Sequence, residues 1–163
     1  MLINLNLGVI LYESRRYDES IETLHKALDL DPNTPFAHLY LGLSFLEKGL
    51  YERAIESVQQ AIKLNEDNPK MQIRLGLAYA RSGDTANARK ILEGLKNSKL
   101  YVSQAELAML YGSLGDKDAA FVCLENAYRA NDVQLQYLKV APAYDSLKTD
   151  PRFQELLKRV GLP

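Results

Sequence analysis

The fold is decided by residues 39–49, which read LYLGLSFLEKG. The same pattern occurs before it as LNLGVILYES, at residues 5–14, and after it as IRLGLAYARSG, at residues 73–83. One glycine holds the same place in all three stretches, at Gly8, Gly42 and Gly76, and these glycines are equally spaced. Repetition at a fixed period of about 34 residues is typical of stacked helical repeats.

A fourth copy reads LAMLYGSLGD at residues 107–116 and places Ala108 at the glycine position. The step from Gly76 to Ala108 is shorter by two than the steps between the glycines, so the third copy has lost two residues. The loss is placed near Lys96–Leu100, where the second helix of that copy is expected to end. The sequence therefore predicts four repeats within residues 1–134, with the boundaries 1–34, 35–68, 69–100 and 101–134.

Each copy has the signature of two short helices. Apolar and polar residues alternate in part of residues 36–46, as in a β-strand. The apolar run is long and rich in helix-forming residues, however, and this favours a helix. Gly49 and its equivalents Gly83 and Gly115 are expected to end the first helices, because helices commonly end in a left-handed residue. The glycine inside each first helix is expected to lie where the two helices cross, facing a small residue: Ser20, Ala54, Ala88 or Ala120.

Residues 135–163 do not repeat and are predicted to form a helical cap. Val133, Leu135, Leu138 and Val140 predict one short helix ended by Pro142. Asp150 and Pro151 then begin a last helix, since aspartate caps helices and proline is favoured in their first turn. Its apolar stripe is expected to cover the last repeat, and it consists of Phe153, Leu156, Leu157 and Val160.

The periodic glycines, alanines and prolines resemble the tetratricopeptide repeat, and the resemblance covers about 130 of the 163 residues. It implies an all-α, right-handed superhelical solenoid of four helix-turn-helix repeats, followed by C-terminal capping helices. Residues 145–163, DSLKTDPRFQELLKRVGLP, also resemble the end of bacterial tetratricopeptide regions, some of them attached to kinase or cyclase modules. The chain begins inside the first helix of repeat one, and we expect further residues upstream.

Composition excludes several functions. The formal net charge of −1 and the pI of about 6.1 provide no basic face for nucleic acid. A single cysteine, Cys123, and two histidines, His25 and His38, predict neither a catalytic set nor a metal site. We therefore expect no enzyme activity and no cofactor. No apolar run is long enough to cross a membrane and no signal peptide is evident, which predicts a cytoplasmic protein.

The predicted function is that of a protein-interaction scaffold, because in the resembled family the first helices line a groove that holds a peptide or helix of a partner. Carried onto this chain, the predicted partner-binding residues are Asn6, Val9, Tyr12, Tyr40, Leu43, Lys70, Arg74 and Leu77. Lys70 and Arg74 match the positions that grip a terminal carboxylate in chaperone-binding members, whereas Leu5, Val9 and Tyr40 do not.

Three alternatives stay open. Neighbouring helices could cover the groove leucines, or the chain could be a regulatory segment of a larger kinase- or cyclase-linked enzyme. A small helical enzyme is disfavoured because no acid–base pair is evident.

Residues 1–68 hold 6 Lys and Arg against 11 Asp and Glu, and residues 69–163 hold 14 against 10. Opposite charge at the two ends, with apolar Leu2, Leu5 and Ile10, predicts weak end-to-end self-association at low salt.

Overall fold

The computed structural model describes residues 2–66 and 68–162, and over these residues every regular element is a helix. Met1 and Pro163, at the ends of the predicted ranges 1–34 and 135–163, lie outside the described residues. Eight helices form four consecutive pairs: α1 (Leu2–Glu13) with α2 (Tyr17–Leu30), α3 (Pro35–Glu47) with α4 (Tyr51–Leu64), α5 (Pro69–Ser82) with α6 (Thr85–Lys96), and α7 (Gln104–Ser113) with α8 (Lys117–Arg129). Two 3₁₀ helices, Val133–Tyr137 and Pro142–Tyr144, and helix α9 (Pro151–Arg159) follow.

Gly8 and Gly42 lie where the two helices of a pair cross, as predicted, whereas a Cβ atom on Gly76 would stand closest to Leu110 of α7, at 3.0 Å. A Cβ atom on Gly42 would stand 2.6 Å from Val58 Cγ2 and 3.0 Å from the carbonyl oxygen of Ala54, both on α4. A Cβ atom on Gly8 would stand 2.6 Å from the side chain of Leu24 on α2. The helices of a pair therefore approach closely only because these positions have no side chain.

The pairs stack in sequence order around a shared core. Ser44 of α3 meets Ser20 of the preceding helix α2, with their hydroxyl oxygens 3.0 Å apart. The Ser20 hydroxyl also donates to the carbonyl of Gly8, at 2.8 Å, and so joins three helices. Because each pair buries its apolar face against the next, the molecule is a solenoid.

The missing two residues of repeat three lie at the end of its second helix, as predicted. The second helices of the first three repeats begin at equally spaced positions, Tyr17, Tyr51 and Thr85. Helices α2 and α4 have 14 residues each, whereas α6 has 12 residues and ends at Lys96. The linker that follows α6 is longer than the linkers before α3 and α5, and α7 begins correspondingly late at Gln104, so the shorter step to repeat four is the net result of these changes.

The C-terminal residues differ in part from the prediction. Instead of one short helix ended by Pro142, the chain forms a 3₁₀ helix at Val133–Tyr137, and Pro142 begins a second one. Val133 and Val140 are exposed, whereas Leu138 is fully buried. Proline fits this place because the first residue of a helical turn needs no amide hydrogen.

Helix α9 is the predicted lid. Phe153, Leu156 and Leu157 are buried, with Phe153 1% exposed. The Asp150 carboxylate caps the helix by accepting from the Arg152 backbone amide at 3.0 Å. The Arg152 guanidinium stacks over the Phe121 ring of α8 at 4.1 Å from its centroid. The last apolar face of the repeat array is thereby covered.

Candidate partner-binding groove

Helices α1, α3, α5 and α7 line one surface of the solenoid, called here the groove. Residues 133–147, called here the return segment, lie along it and enclose a cavity of about 90 Å³. The cavity brings together five predicted groove residues: Tyr12, Tyr40, Leu43, Lys70 and Arg74. Its other wall comes from the return segment, including Gln134, Tyr137, Val140 and Pro142.

The return segment is fixed to both ends of the groove. The Tyr144 hydroxyl donates to the carbonyl of Ala105 on α7, at 2.9 Å, and its ring is fully buried. The Arg15 guanidinium, just after α1, donates to both carboxylate oxygens of Asp145 at 3.2 Å. The segment therefore spans the groove from the last repeat to the first.

The leucines of the groove are covered, which confirms one of the alternatives drawn from the sequence. Leu39 is fully buried and Leu43 is 6% exposed. Two apolar side chains of the return segment at the cavity are open to solvent, since Tyr137 is 38% and Val140 50% exposed. The exposed apolar side chains at the cavity thus belong to the non-repeating residues.

Tyrosine rings occupy the cavity's first-repeat side. The Tyr12 and Tyr40 rings meet edge to face, with their centroids 5.6 Å apart. Burial raises the pKa of both hydroxyls above the usual value, and the Glu47 carboxylate adds to the increase at Tyr12. Both rings are therefore neutral packing elements at physiological pH.

A buried cluster of charges lies on the far side of the cavity. Arg74 Nη2 donates to Glu106 Oε1 at 3.0 Å, and Lys70 Nζ lies 3.9 Å from the same oxygen. Arg74 Nη1 lies 2.7 Å from the Met109 sulfur, and Arg74 Nε is buried without a hydrogen-bond partner. Burial lowers the pKa of Lys70.

Arg74, which the sequence predicts to be a partner-binding residue, is not exposed in the free protein. Its side chain is 11% exposed and is committed to Glu106, whose side chain is 7% exposed. Lys70, with 36% of its side chain exposed, is the cation of this cluster that solvent reaches.

The remaining predicted groove residues lie elsewhere. Asn6 and Val9 are outside the cavity, and Leu77 is 2% exposed in the core. Sequence reasoning missed Glu106 and Met109, although the repeat register could have found them. Once the shorter last step is allowed for, Glu106 continues the series Asn6, Tyr40, Arg74, and Met109 continues the series Val9, Leu43, Leu77.

The residues named as chemical candidates are spread apart. His38 Nε2 lies 2.8 Å from the Pro32 carbonyl, and His25 stands beside Phe45. Cys123 is a free, buried thiol whose pKa is raised by burial. Within residues 2–66 and 68–162, three or more His, Cys, Asp or Glu side chains nowhere come together as metal ligands would. No helix in the same residues has the length and apolar character of a membrane span.

Four stacked helix pairs with a capped end define a helical-repeat solenoid. Two family models described as tetratricopeptide repeat match the chain, one at residues 5–69 and 39–99 and the other at residues 102–133. The chain belongs to the tetratricopeptide repeat family.

Solved structures have the same fold. A crystal structure of MamA is 21% identical, with 94% of each chain covered and a TM-score of 0.53. MamA from AMB-1 is 22% identical over 99% of this chain and 95% of its own, with a TM-score of 0.54. A human IFIT1 dimer with m7Gppp-AAAA is 18% identical over 96% of this chain and 39% of its own, with a TM-score of 0.64. No curated protein sequence matches the chain.

Proposed function

We propose that this chain is a non-catalytic protein-interaction scaffold that binds a peptide or helix of a partner along the groove. The observation that carries the proposal is the composite surface of the groove, in which exposed Tyr137 and Val140 stand beside the cationic side chain of Lys70. A rigid apolar surface with one charge at its edge is the usual form of a peptide-binding face.

In this proposal the partner lies against the return segment rather than in the cavity beneath it. A cavity of about 90 Å³ is well below the roughly 300 Å³ at which small-molecule sites begin. Burial of apolar side chains on Tyr137 and Val140 supplies the contact, and an acidic group of the partner pairs with Lys70. The packing of the side chains beneath this surface keeps its conformation fixed, and these side chains are Arg74, Tyr12 and Tyr40.

The test uses one groove variant and one matched control. Val140→Glu places a charge on the proposed surface, and Val122→Glu places the same charge on α8, where Val122 is 61% exposed. Proteins captured from the native host by the wild-type chain are identified by mass spectrometry, and their affinities are measured by calorimetry. Val140→Glu should weaken binding by at least about tenfold, which corresponds to ~1.4 kcal/mol, while Val122→Glu should leave it unchanged.

A second variant tests the charge. Lys70→Gln removes the cation without placing a second carboxylate beside Glu106, so it should weaken the binding of an acidic partner and leave helix content intact. Equal binding by Val140→Glu, Lys70→Gln and the wild type would rule out the groove as the contact surface.

The location and wider context of the scaffold are also proposals. We place it in the cytoplasm on the basis of its composition and lone cysteine. The alternative role, as a regulatory segment of a kinase- or cyclase-linked enzyme, rests on the resemblance of residues 145–163. The full reading frame of the gene separates the two roles.

A further inference from the structure

Arg15 holds a backbone conformation that arginine disfavours. Its φ is +60°, in the turn between α1 and α2, and in this region the Cβ atom of a side chain crowds the following carbonyl oxygen. In the part of the chain that the structure describes, the other non-glycine residue with positive φ is Asn131, and asparagine tolerates this conformation better than arginine does. An arginine in this turn therefore points to a role of its side chain.

The repeat register shows that glycine is the ordinary residue at this place. The residues equivalent to Arg15 in the next three repeats have φ between +73° and +91°, and they are Gly49, Gly83 and Gly115. The turns also share a hydrogen bond, because the amide of Arg15 donates to the carbonyl three residues earlier, and the amides of the three glycines do the same. Repeat one accordingly carries a side chain where the other repeats build the same turn from glycine.

The Arg15 side chain makes a contact that glycine could not make. Its guanidinium donates to both carboxylate oxygens of Asp145 in the return segment, at 3.2 Å. In a solenoid each repeat mainly contacts its neighbours, so small bends at successive junctions add up over the array. The contact ties repeat one to the segment that follows repeat four, and it therefore restrains the sum of these bends.

This contact breaks at little cost. The side chains of Arg15 and Asp145 are 49% and 43% exposed, so water replaces the lost hydrogen bonds when they separate. Lys148 Nζ lies 2.6 Å from the Asp145 carboxylate, which therefore keeps a cation after Arg15 has left. The neighbouring Tyr144 is fully buried and fixes the return segment to α7, so the part that is free to move is the turn between α1 and α2.

We propose that Arg15 and Asp145 form a reversible catch, whose release lets the turn between α1 and α2 swing away from the return segment and opens the cavity between them. The cavity lies at this boundary, with Tyr12 and Glu13 of α1 on one side and residues 140–143 on the other. Release joins the cavity to solvent, and added salt favours it by screening the two exposed charges. The catch is a property of the free chain and does not depend on the proposed function.

Hydrogen–deuterium exchange followed by mass spectrometry tests the catch in the free protein. Asp145→Asn removes one charge of the catch, so the amides of residues 9–16 and 139–146 should exchange about threefold faster. Arg16→Gln is the matched control, because Arg16 pairs with Glu19 instead, and it should leave the exchange of residues 139–146 unchanged. Added salt should bring the wild type towards the exchange rate of Asp145→Asn. Wild-type exchange in Asp145→Asn, or an increase that Arg16→Gln matches, would overturn the proposal.

Arg15→Gly separates the catch from an ordinary stabilising ion pair. Glycine relieves the unfavourable φ, which offsets the lost contact, so the melting temperature should stay within about 2 °C of the wild type. The amides of residues 139–146 should nevertheless exchange about threefold faster, because the return segment has lost its contact with repeat one. Unchanged exchange of these residues in Arg15→Gly would show that Arg15 acts only within its own turn, and would equally overturn the proposal.

Discussion

Gly42→Ala and Gly94→Ala add the same methyl group to two helices, and the structure predicts opposite effects on stability. Gly42 is buried, and its new Cβ would stand 2.6 Å from Val58 Cγ2 and 3.0 Å from the carbonyl oxygen of Ala54. Gly94 is exposed near the end of α6, and a Cβ there meets nothing within 4 Å. Comparing the two variants therefore separates the effect of helix propensity on stability from the effect of helix packing.

The size of each effect follows from these distances. Alanine is favoured over glycine in a helix interior by about 0.5–1 kcal/mol, and at Gly94 this is the whole effect. At Gly42 the same gain is opposed by overpacking, which costs about 1–3 kcal/mol. The cost lies near the upper end, because a backbone oxygen cannot rotate away, and the net loss is about 2 kcal/mol. For a chain of this size the melting temperature should fall by roughly 4–8 °C with Gly42→Ala and rise by roughly 1–4 °C with Gly94→Ala.

Thermal and urea unfolding followed by circular dichroism measure both changes. Val58→Ala removes the nearest methyl group, so Gly42→Ala should cost less in that background than in the wild type. A Gly42→Ala variant as stable as the wild type would show that α3 and α4 do not approach as closely as described. A loss of stability with Gly94→Ala would refute the propensity argument.

Phe153→Ala should lower the free energy of unfolding by about 3–5 kcal/mol in chemical denaturation, because the ring of this α9 residue is buried. A loss below about 1 kcal/mol would contradict that packing. Glu106→Gln should cost about 3 kcal/mol in the same assay, since it leaves Arg74 buried without its carboxylate, and an unchanged midpoint would show that the pair is not needed. Burial raises the pKa of Tyr12 and Tyr144 above 10.0, so the folded state holds these protons more tightly than the unfolded state. Their contribution to the free energy of unfolding should therefore be constant below about pH 10 and fall above it, so stability should decrease from about pH 9 to 11, less steeply in Tyr144→Phe. A flat profile over this range would refute the assignment.

The repeat period made most of the fold predictable. A constant spacing fixes which residue of each helix faces its partner, so Gly8 and Gly42 could be placed at helix crossings before any coordinates. The shorter step from Gly76 to Ala108 located the shortening of α6 for the same reason. In a solenoid each repeat contacts mainly its neighbours, and local pattern therefore determines tertiary contact.

The residues of the groove could be predicted only where they belong to the four repeats. Tyr40 and Arg74 were found because they hold equivalent positions in consecutive repeats, and Glu106 could have been found in the same way. The return segment could not, because it has no equivalent in the other repeats. Its contact between Arg15 and Asp145 joins residues 130 positions apart, and no periodic pattern encodes such a distance. Arg74 is buried against Glu106 and Met109 of α7, the two residues that sequence reasoning missed.

Unequal contacts hold the return segment in the groove, and this decides how a partner could bind. The ion pair of Arg15 with Asp145 is nearly half exposed on both sides and contributes at most about 1 kcal/mol. Leu138, Tyr144 and Leu147 are fully buried, and each contributes roughly 1.5–3 kcal/mol. A partner can therefore loosen the end of the segment near Arg15 at little cost, but it cannot displace the buried side chains. In the proposed function, a partner bound along the groove would accordingly use the return segment as part of the binding surface, rather than compete with it for the helices beneath.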